Sequence, residues 1–233
     1  MKLKYNKMSY QILSTKILNE SQKKEIDFPG CDFIEKNFIE IGKLKFSYNK
    51  KNKIILFTSQ NAVKIIFSKN EIKKRLQGER CYCVGAETKK LIEKNNIKVL
   101  SFFNSGSEMA DYLVKKMSNE EFVFFCGSER LKTIETKMFK NNLKLEIIEV
   151  YKTNLIPQKI DKIFDSILFF SPSAVKSFLN FNSIGKAKCY CIGPTTASAL
   201  NKHTNNIEIS KSPTINILLQ NVKKNLMESH DKK

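Results

Sequence analysis

Two segments of the chain occur twice in the same order, and this repetition constrains the fold more than any other feature. CYCVGAET at residues 81–88 corresponds to CYCIGPTT at residues 189–196. Upstream, ILFTSQNAVK at residues 55–64 corresponds to ILFFSPSAVK at residues 167–176. The copies lie 108 and 112 residues apart, so order and near-spacing are kept, which indicates an internal duplication. Two copies are too few for a solenoid, and they predict two similar α/β domains.

Short apolar runs alternate with runs of helical period through both halves of the chain. The clearest apolar runs are residues 54–58, 122–125 and 166–170. This alternation predicts the α/β class, with parallel sheets that carry helices on their faces. The half that begins near residue 154 lacks a first strand of its own, and residues 10–14 can supply it. One domain is therefore expected to be discontinuous.

These patterns define the expected domain boundaries. Residues 1–30 and 154–233 are expected to form the discontinuous domain, and residues 42–144 the inserted one. Residues 31–41 and 145–153 are extended in character and are expected to form a two-stranded β linker between the domains.

Composition limits the class of protein. The 233 residues are 41% hydrophobic, and no window approaches the roughly 20 apolar residues that a membrane helix needs. The N-terminal segment contains Lys but no apolar h-region, so we expect no signal peptide, no membrane partner and a cytoplasmic location. The six cysteines form no CxxC pair or metal-spaced cluster, which favours buried thiols in a reducing compartment.

The formal net charge of +18 favours anionic partners. The lysines are scattered rather than collected in a stripe, and no nucleic-acid motif is present, so nucleic acid is not expected as a partner. A polyanionic small molecule suits the charge equally well. The two histidines lie far from any acid–nucleophile pair, which argues against a Ser-His-Asp hydrolase. No dinucleotide fingerprint or phosphate-binding P-loop occurs either.

Six motifs, in this order and spacing, resemble the uroporphyrinogen-III synthase family. They are FTSQNAV (57–63), VGAET (84–88), VYKT (150–153), FFSPSAVKSFL (169–179), IGPTTASAL (192–200) and SPT (212–214). Each is weak alone, but together they are specific. The resemblance implies two flavodoxin-like α/β/α domains joined by a two-stranded ladder, with the active site in the cleft.

The resemblance also implies the reaction. The family closes the linear tetrapyrrole hydroxymethylbilane into uroporphyrinogen III, with inversion of the last ring and loss of water, and uses no metal or organic cofactor. The substrate carries carboxylates on all four pyrroles, so binding calls for many hydrogen-bond donors. A monomer is expected, with transient handover from hydroxymethylbilane synthase as a further partner.

Tyr151 is the candidate catalytic residue, because it matches the tyrosine of the family's VYxT motif. A phenol with a pKa of about 10 is protonated at neutral pH and can donate to the departing hydroxyl. The alternative is a tyrosine that only packs at a domain junction or positions substrate.

Loops after the strand-like runs supply the candidate substrate-binding residues. Gly193, Thr195 and Thr196 stand where Gly-Pro precedes a helix, and the unpaired N–H groups and hydroxyls there suit an anion. The remaining candidates follow other strands of the two copies: Thr58, Ser59, Asn61, Thr88, Gly127, Ser128, Ser171 and Ser173. The hydroxyl residues can instead be helix caps, and Gly127 with Ser128 a plain turn. A noncatalytic two-domain protein that binds an anionic ligand remains the alternative function.

Overall fold

The computed structural model describes residues 9–50 and 53–230, whose contacts divide the chain into two compact units. Unit 1 comprises the described residues up to Glu40 and those from Asn154 onward, and unit 2 comprises residues 41–153. Within the described residues, no helix is both long and apolar enough to cross a membrane.

Strands and helices alternate through most of the described chain. The strands are β1 (Tyr10–Ser14), β2 (Cys31–Glu35), β3 (Ile39–Lys43), β4 (Ile54–Phe57), β5 (Cys81–Val84), β6 (Val99–Phe103), β7 (Glu121–Gly127), β8 (Lys144–Leu155), β9 (Ser166–Phe169), β10 (Lys188–Cys191) and β11 (Ile207–Ile209). The helices are α1 (Glu20–Ile26), α2 (Gln60–Phe67), α3 (Asn70–Arg75), α4 (Ala86–Glu93), α5 (Gly106–Lys116), α6 (Thr133–Lys140), α7 (Pro172–Leu179), α8 (Pro194–Ser198) and α9 (Ile215–His230). Strands β2, β3 and β4 follow one another directly, as do α2 with α3 and β8 with β9.

Unit 1 is built on a five-stranded sheet in the order β11-β10-β9-β1-β2. The strand β1 lies between β2 and β9 and pairs in parallel with both. The N-terminal strand thus completes the sheet of the C-terminal half, which confirms that expectation. Ile12 and Leu13 of this interior strand are fully buried, as apolar residues of a helix-covered parallel sheet should be.

Unit 2 is built on a six-stranded sheet in the order β3-β8-β7-β4-β5-β6. The pairings of β4 with β5 and β7, of β5 with β6 and of β7 with β8 are parallel. Strand β4 is buried on both faces, as IILF in a helix-covered parallel sheet should be. Both units therefore confirm the α/β class with parallel sheets.

The two repeated segments occupy equivalent places. In unit 2, β4 leads into α2 and its neighbour β5 leads into α4; in unit 1, β9 leads into α7 and its neighbour β10 leads into α8. Each CYC strand turns both sulfurs toward one apolar cluster and its tyrosine toward the other, as strand alternation requires.

The structure differs from the predicted linker in residues 31–41. Strand β2 pairs in parallel with β1 and belongs to the unit 1 sheet, whereas β3 lies beside β8 in the unit 2 sheet. The segment is interrupted because Phe38 is fully buried against Phe178 and the N–H of Lys36 bonds to Ser14. The predicted boundaries of two domains with a separate linker stay a prediction.

Candidate functional site

The carboxyl ends of β4 and β7 bring the first group of candidate residues together in unit 2. Because the two strands pair in parallel, Thr58 and Ser59 after β4 lie at the same sheet edge as Gly127 at the end of β7. Strand β8 pairs with β7 on its other side, and Tyr151 lies opposite Gly127 in that pairing. The site therefore forms at the edge where open α/β sheets bind ligands.

One hydroxyl group links Tyr151 to the start of α2. The phenol of Tyr151 donates a hydrogen bond to Ser59 Oγ at 2.9 Å. Ser59 is the N-cap of α2, and the same Oγ accepts from the backbone N–H of Asn61 at 3.1 Å. The cap alternative for Ser59 is thus realised, and it coexists with the contact to the candidate catalytic tyrosine.

The ring of Tyr151 lies directly against the backbone of Gly127. A Cβ atom placed on Gly127 would stand 2.6 Å from Tyr151 Cζ and 2.9 Å from its hydroxyl oxygen. These distances are far below van der Waals contact, so a side chain here would displace the ring. Gly127 is required as a platform for the tyrosine, a role that the sequence interpretation missed.

A β-bulge on β8 decides which face Tyr151 occupies. Cys126 pairs with Glu149, but the next residue, Gly127, pairs with Tyr151, so Val150 is an extra residue on β8. Val150 and Tyr151 consequently pack against the same apolar cluster on the α2 side, whereas Ile147 packs against the opposite one. Unbroken alternation would place Tyr151 with Ile147, away from Ser59.

Burial raises the pKa of the Tyr151 phenol, and the nearby Cys126 thiol adds to the rise, while hydrogen bonding with Ser59 and Asn61 opposes it. The net effect is a pKa above the ordinary phenol value of about 10. The phenol is therefore protonated at neutral pH. It is equipped to donate a proton rather than to accept one.

The backbone at the end of β7 is largely committed to internal bonds. The N–H of Ser128 donates to the Tyr151 carbonyl at 2.9 Å, so the predicted backbone donor at Ser128 is already used. The Gly127 carbonyl accepts from Arg130 Nη1 at 3.2 Å. What Ser128 can still offer a ligand is its half-buried side chain.

The second group of candidates lies at the carboxyl edge of the unit 1 sheet. Ser171 caps α7 by accepting from the Ala174 N–H at 3.1 Å, and Ser173 is half-buried in the first turn. The backbone of Gly193 is the N-cap of α8, so the alternative in which a threonine caps this helix is wrong. Of the two threonines that follow, Thr195 is exposed and Thr196 is 1% exposed.

Two features limit what the CYC–Gly junctions offer. Helix α8 has only five residues, so its dipole is weak. Thr88 in α4 is 5% exposed, which leaves its hydroxyl little access to a ligand.

Among the residues that the structure describes, no cluster of His, Cys, Asp or Glu suits a metal ion.

An ion network beside Tyr151 was not found from the sequence. Arg130 contacts Glu135 on α6 and Glu149 on β8, and the side chains of Arg130 and Glu135 are only 14% and 7% exposed. The sequence contains one signal for it, which is the rarity of arginine. Only three of the 41 basic residues are arginines. Where lysine dominates so strongly, an arginine marks a place that needs the planar guanidinium.

Comparison with known proteins gives a consistent result. A family model described as uroporphyrinogen-III synthase HemD matches residues 25–220. A curated relative from Ruminiclostridium josui, described as a porphyrin biosynthesis protein HemD, is 25% identical over 185 residues. That match covers 71% of this chain but 36% of the relative, so the chain spans only about a third of that protein's length.

Solved structures share the fold. The uroporphyrinogen-III synthetase of Helicobacter pylori aligns with a TM-score of 0.69 and 17% identity, over 92% of this chain and 99% of that one. A mutant uroporphyrinogen III synthase of Thermus thermophilus aligns with a TM-score of 0.65 and 12% identity, over 94% and 100%. At such low identity these likenesses establish the fold alone.

Proposed function

The chain belongs to the uroporphyrinogen-III synthase family, and on that premise we propose that it converts hydroxymethylbilane into uroporphyrinogen III and water. The family model spans residues 25–220, which supports that activity. The curated relative's description as a porphyrin biosynthesis protein supports the same substrate class.

The reaction sets two physical demands. Loss of the terminal hydroxyl leaves a reactive azafulvene that cyclises unaided to the symmetric isomer, so the protein has to hold the chain in the conformation that leads to inversion of ring D. Positioning of this kind supplies the larger part of the rate effect. Assistance to the departing hydroxyl adds a smaller factor, about 10²–10⁴ for general acid catalysis.

The hydrogen bond from Tyr151 to Ser59 is the observation that carries the proposal. In the proposed mechanism the phenol of Tyr151 donates its proton to the terminal hydroxyl of the substrate, which departs as water. The pyrrole N–H releases a proton as the azafulvene forms, and the phenolate recovers it, so protons balance. The raised pKa of the phenol supports this role, because the donor form prevails at neutral pH.

Substrate carboxylates are assigned to the polar groups at the two sheet edges. In unit 2 the proposed contacts are Thr58, Ser59 and Asn61, with Gly127 and Ser128 at the end of β7. In unit 1 they are Ser171, Ser173, Gly193, Thr195 and Thr196, with Thr195 the more exposed of the two threonines. Thr88 is left out of the proposed contacts, because its side chain is only 5% exposed. Hydroxyl and backbone donors suit a polycarboxylate because several moderate bonds share the charge.

The location, the oligomeric state and a further protein partner are proposed on chemical grounds. We assign a cytoplasmic monomer, and the six free thiols support a reducing compartment. Spontaneous closure of the substrate to the wrong isomer favours its transient handover from hydroxymethylbilane synthase.

A coupled isomer assay tests the function against the alternative, a noncatalytic protein that binds an anionic ligand. Hydroxymethylbilane is generated in situ, the chain is added, and the oxidised porphyrins are separated by chromatography. We expect a shift from isomer I to isomer III, and a kcat about 10²-fold lower for Tyr151→Phe. Isomer I alone, from protein whose circular dichroism shows a folded α/β chain, contradicts the proposed activity and favours the binding protein.

A further inference from the structure

The guanidinium of Arg130 joins three elements of unit 2 close to Tyr151. Its Nε donates to Glu135 Oε1 at 2.9 Å, at the start of α6. Its Nη1 donates to Glu149 Oε1 at 2.7 Å on β8 and to the Gly127 carbonyl at 3.2 Å at the end of β7. The side chain is only 14% exposed, so these bonds form in a partly desolvated environment, where they are stronger than on the surface.

The two contacts on the sheet lie on either side of the β-bulge. Glu149 is the last residue of β8 in normal register, and Gly127 is the residue of β7 that faces Tyr151 beyond the extra Val150. Arg130 therefore binds both Glu149, which precedes the bulge, and Gly127, which pairs with the residue that follows it. A bulge re-aims the side chain that follows it, and this one turns Tyr151 toward Ser59.

We propose that Arg130 is a positioning residue for Tyr151, which fixes the bulge in β8 by holding Glu149 and the Gly127 carbonyl at once. The proposal deepens the proposed function and rests on it for the kinetic consequence. Lysine is no substitute here, because four bonds to three groups, donated by Nε, Nη1 and Nη2, require the guanidinium fork and not a point charge.

Removing Arg130 alone would leave Glu135 as a buried, unpaired carboxylate, which can prevent folding. The test variant is therefore the double substitution R130M/E135Q, which removes both charges. The matched control is R80M/E120Q. Arg80 and Glu120 form an ion pair in the same unit, with two hydrogen bonds of 2.7 Å each between the guanidinium and the carboxylate. That pair lies before β5 and β7, at the opposite ends of the strands from Tyr151.

The first readout needs no turnover. Tyrosine labelled with ¹³C at Cζ is titrated by NMR, and Tyr151→Phe identifies the Tyr151 signal among the seven tyrosines. In the wild type and in R80M/E120Q we expect Tyr151 to ionise above the pKa of about 10 of an exposed phenol. In R130M/E135Q and in R130K we expect its midpoint to fall toward that value. A midpoint that stays at the wild-type position in R130M/E135Q overturns the proposal.

The second readout is kinetic. We expect R130M/E135Q to lower kcat about tenfold with KM changed less than about twofold, and to lower kcat less than about twofold in the Tyr151→Phe background. An equal loss in both backgrounds, or a kcat like that of R80M/E120Q, overturns positioning through Tyr151. If the wild type makes no isomer III, the proposed function fails, while the NMR titration still decides the role of Arg130.

Discussion

Gly127 and Tyr151 show how much of the candidate site depends on a single pair of residues. The motif VYKT identified Tyr151, but nothing in GSER indicates that Gly127 has to lack a side chain. The requirement arises because the bulge in β8 brings the tyrosine ring over this backbone. A residue that looks like an ordinary turn glycine in the sequence therefore determines where the phenol lies.

We expect Gly127→Ala to displace Tyr151 and to lower both stability and turnover. The added methyl would overlap the ring, and overpacking of this kind costs about 1–3 kcal/mol in the free energy of unfolding. Because the phenol moves away from Ser59, kcat is expected to fall about as far as in Tyr151→Phe. Urea unfolding and the isomer assay measure the two effects.

Gly193→Ala is the matched control for stability. Gly193 has an extended backbone with a φ of −172°, and a Cβ there would meet no atom within 4 Å. Its unfolding midpoint should fall less than that of Gly127→Ala, because only the cap preference of the short helix α8 is lost. Equal midpoints for Gly127→Ala and the wild type would contradict the platform role of Gly127.

Helices α2 and α7 show what the duplication retains between elements and what it does not. Both have eight residues, both follow a central strand, and both have a serine N-cap whose Oγ accepts a backbone N–H at 3.1 Å. Only the cap of α2 also accepts a hydrogen bond from a tyrosine. The repeated sequence predicts the caps, whereas the difference comes from β8, which lies far away along the chain.

We expect Ser59→Ala to destabilise the chain more than Ser171→Ala. Loss of either cap costs about 1 kcal/mol in the free energy of unfolding. Ser59→Ala additionally leaves the Tyr151 hydroxyl without its acceptor, which adds a further cost of about 1 kcal/mol. The extra cost should vanish in the Tyr151→Phe background, as measured by urea unfolding of the four variants. Equal losses for the two serines in both backgrounds would argue against the Tyr151–Ser59 bond.

At the scale of the whole molecule, the buried thiols couple stability to pH. Burial raises the pKa of Cys83, Cys189 and Cys191 to about 12. A thiol in the unfolded chain has a pKa of about 8.5. The folded state thus holds these protons more tightly, and the unfolded chain loses them first as pH rises. The stability that they contribute is complete below about pH 8.5 and is lost progressively toward pH 12.

We expect the urea midpoint to be flat from pH 7 to 8 and to decline from pH 8.5 to 9.5, below the range in which tyrosines of the unfolded chain ionise. The C189A/C191A variant should start from a lower midpoint but decline less steeply, because two of the thiols are gone. A wild-type midpoint that does not change across this range would contradict the burial of the thiols.

The sequence alone determined the α/β class, the parallel strands β4, β5, β9 and β10, the serine caps and the family resemblance, which the family model confirms. These depend on period, turn residues and short motifs, all of which are local. Only the tertiary structure decided that β2 joins the unit 1 sheet and that Val150 forms a bulge. It also decided that Tyr151 turns toward Ser59 over Gly127, and that Arg130 binds Glu149. The physical reason is that strand register is set by packing between residues distant in sequence, and a shift of one residue reverses the face of every side chain that follows.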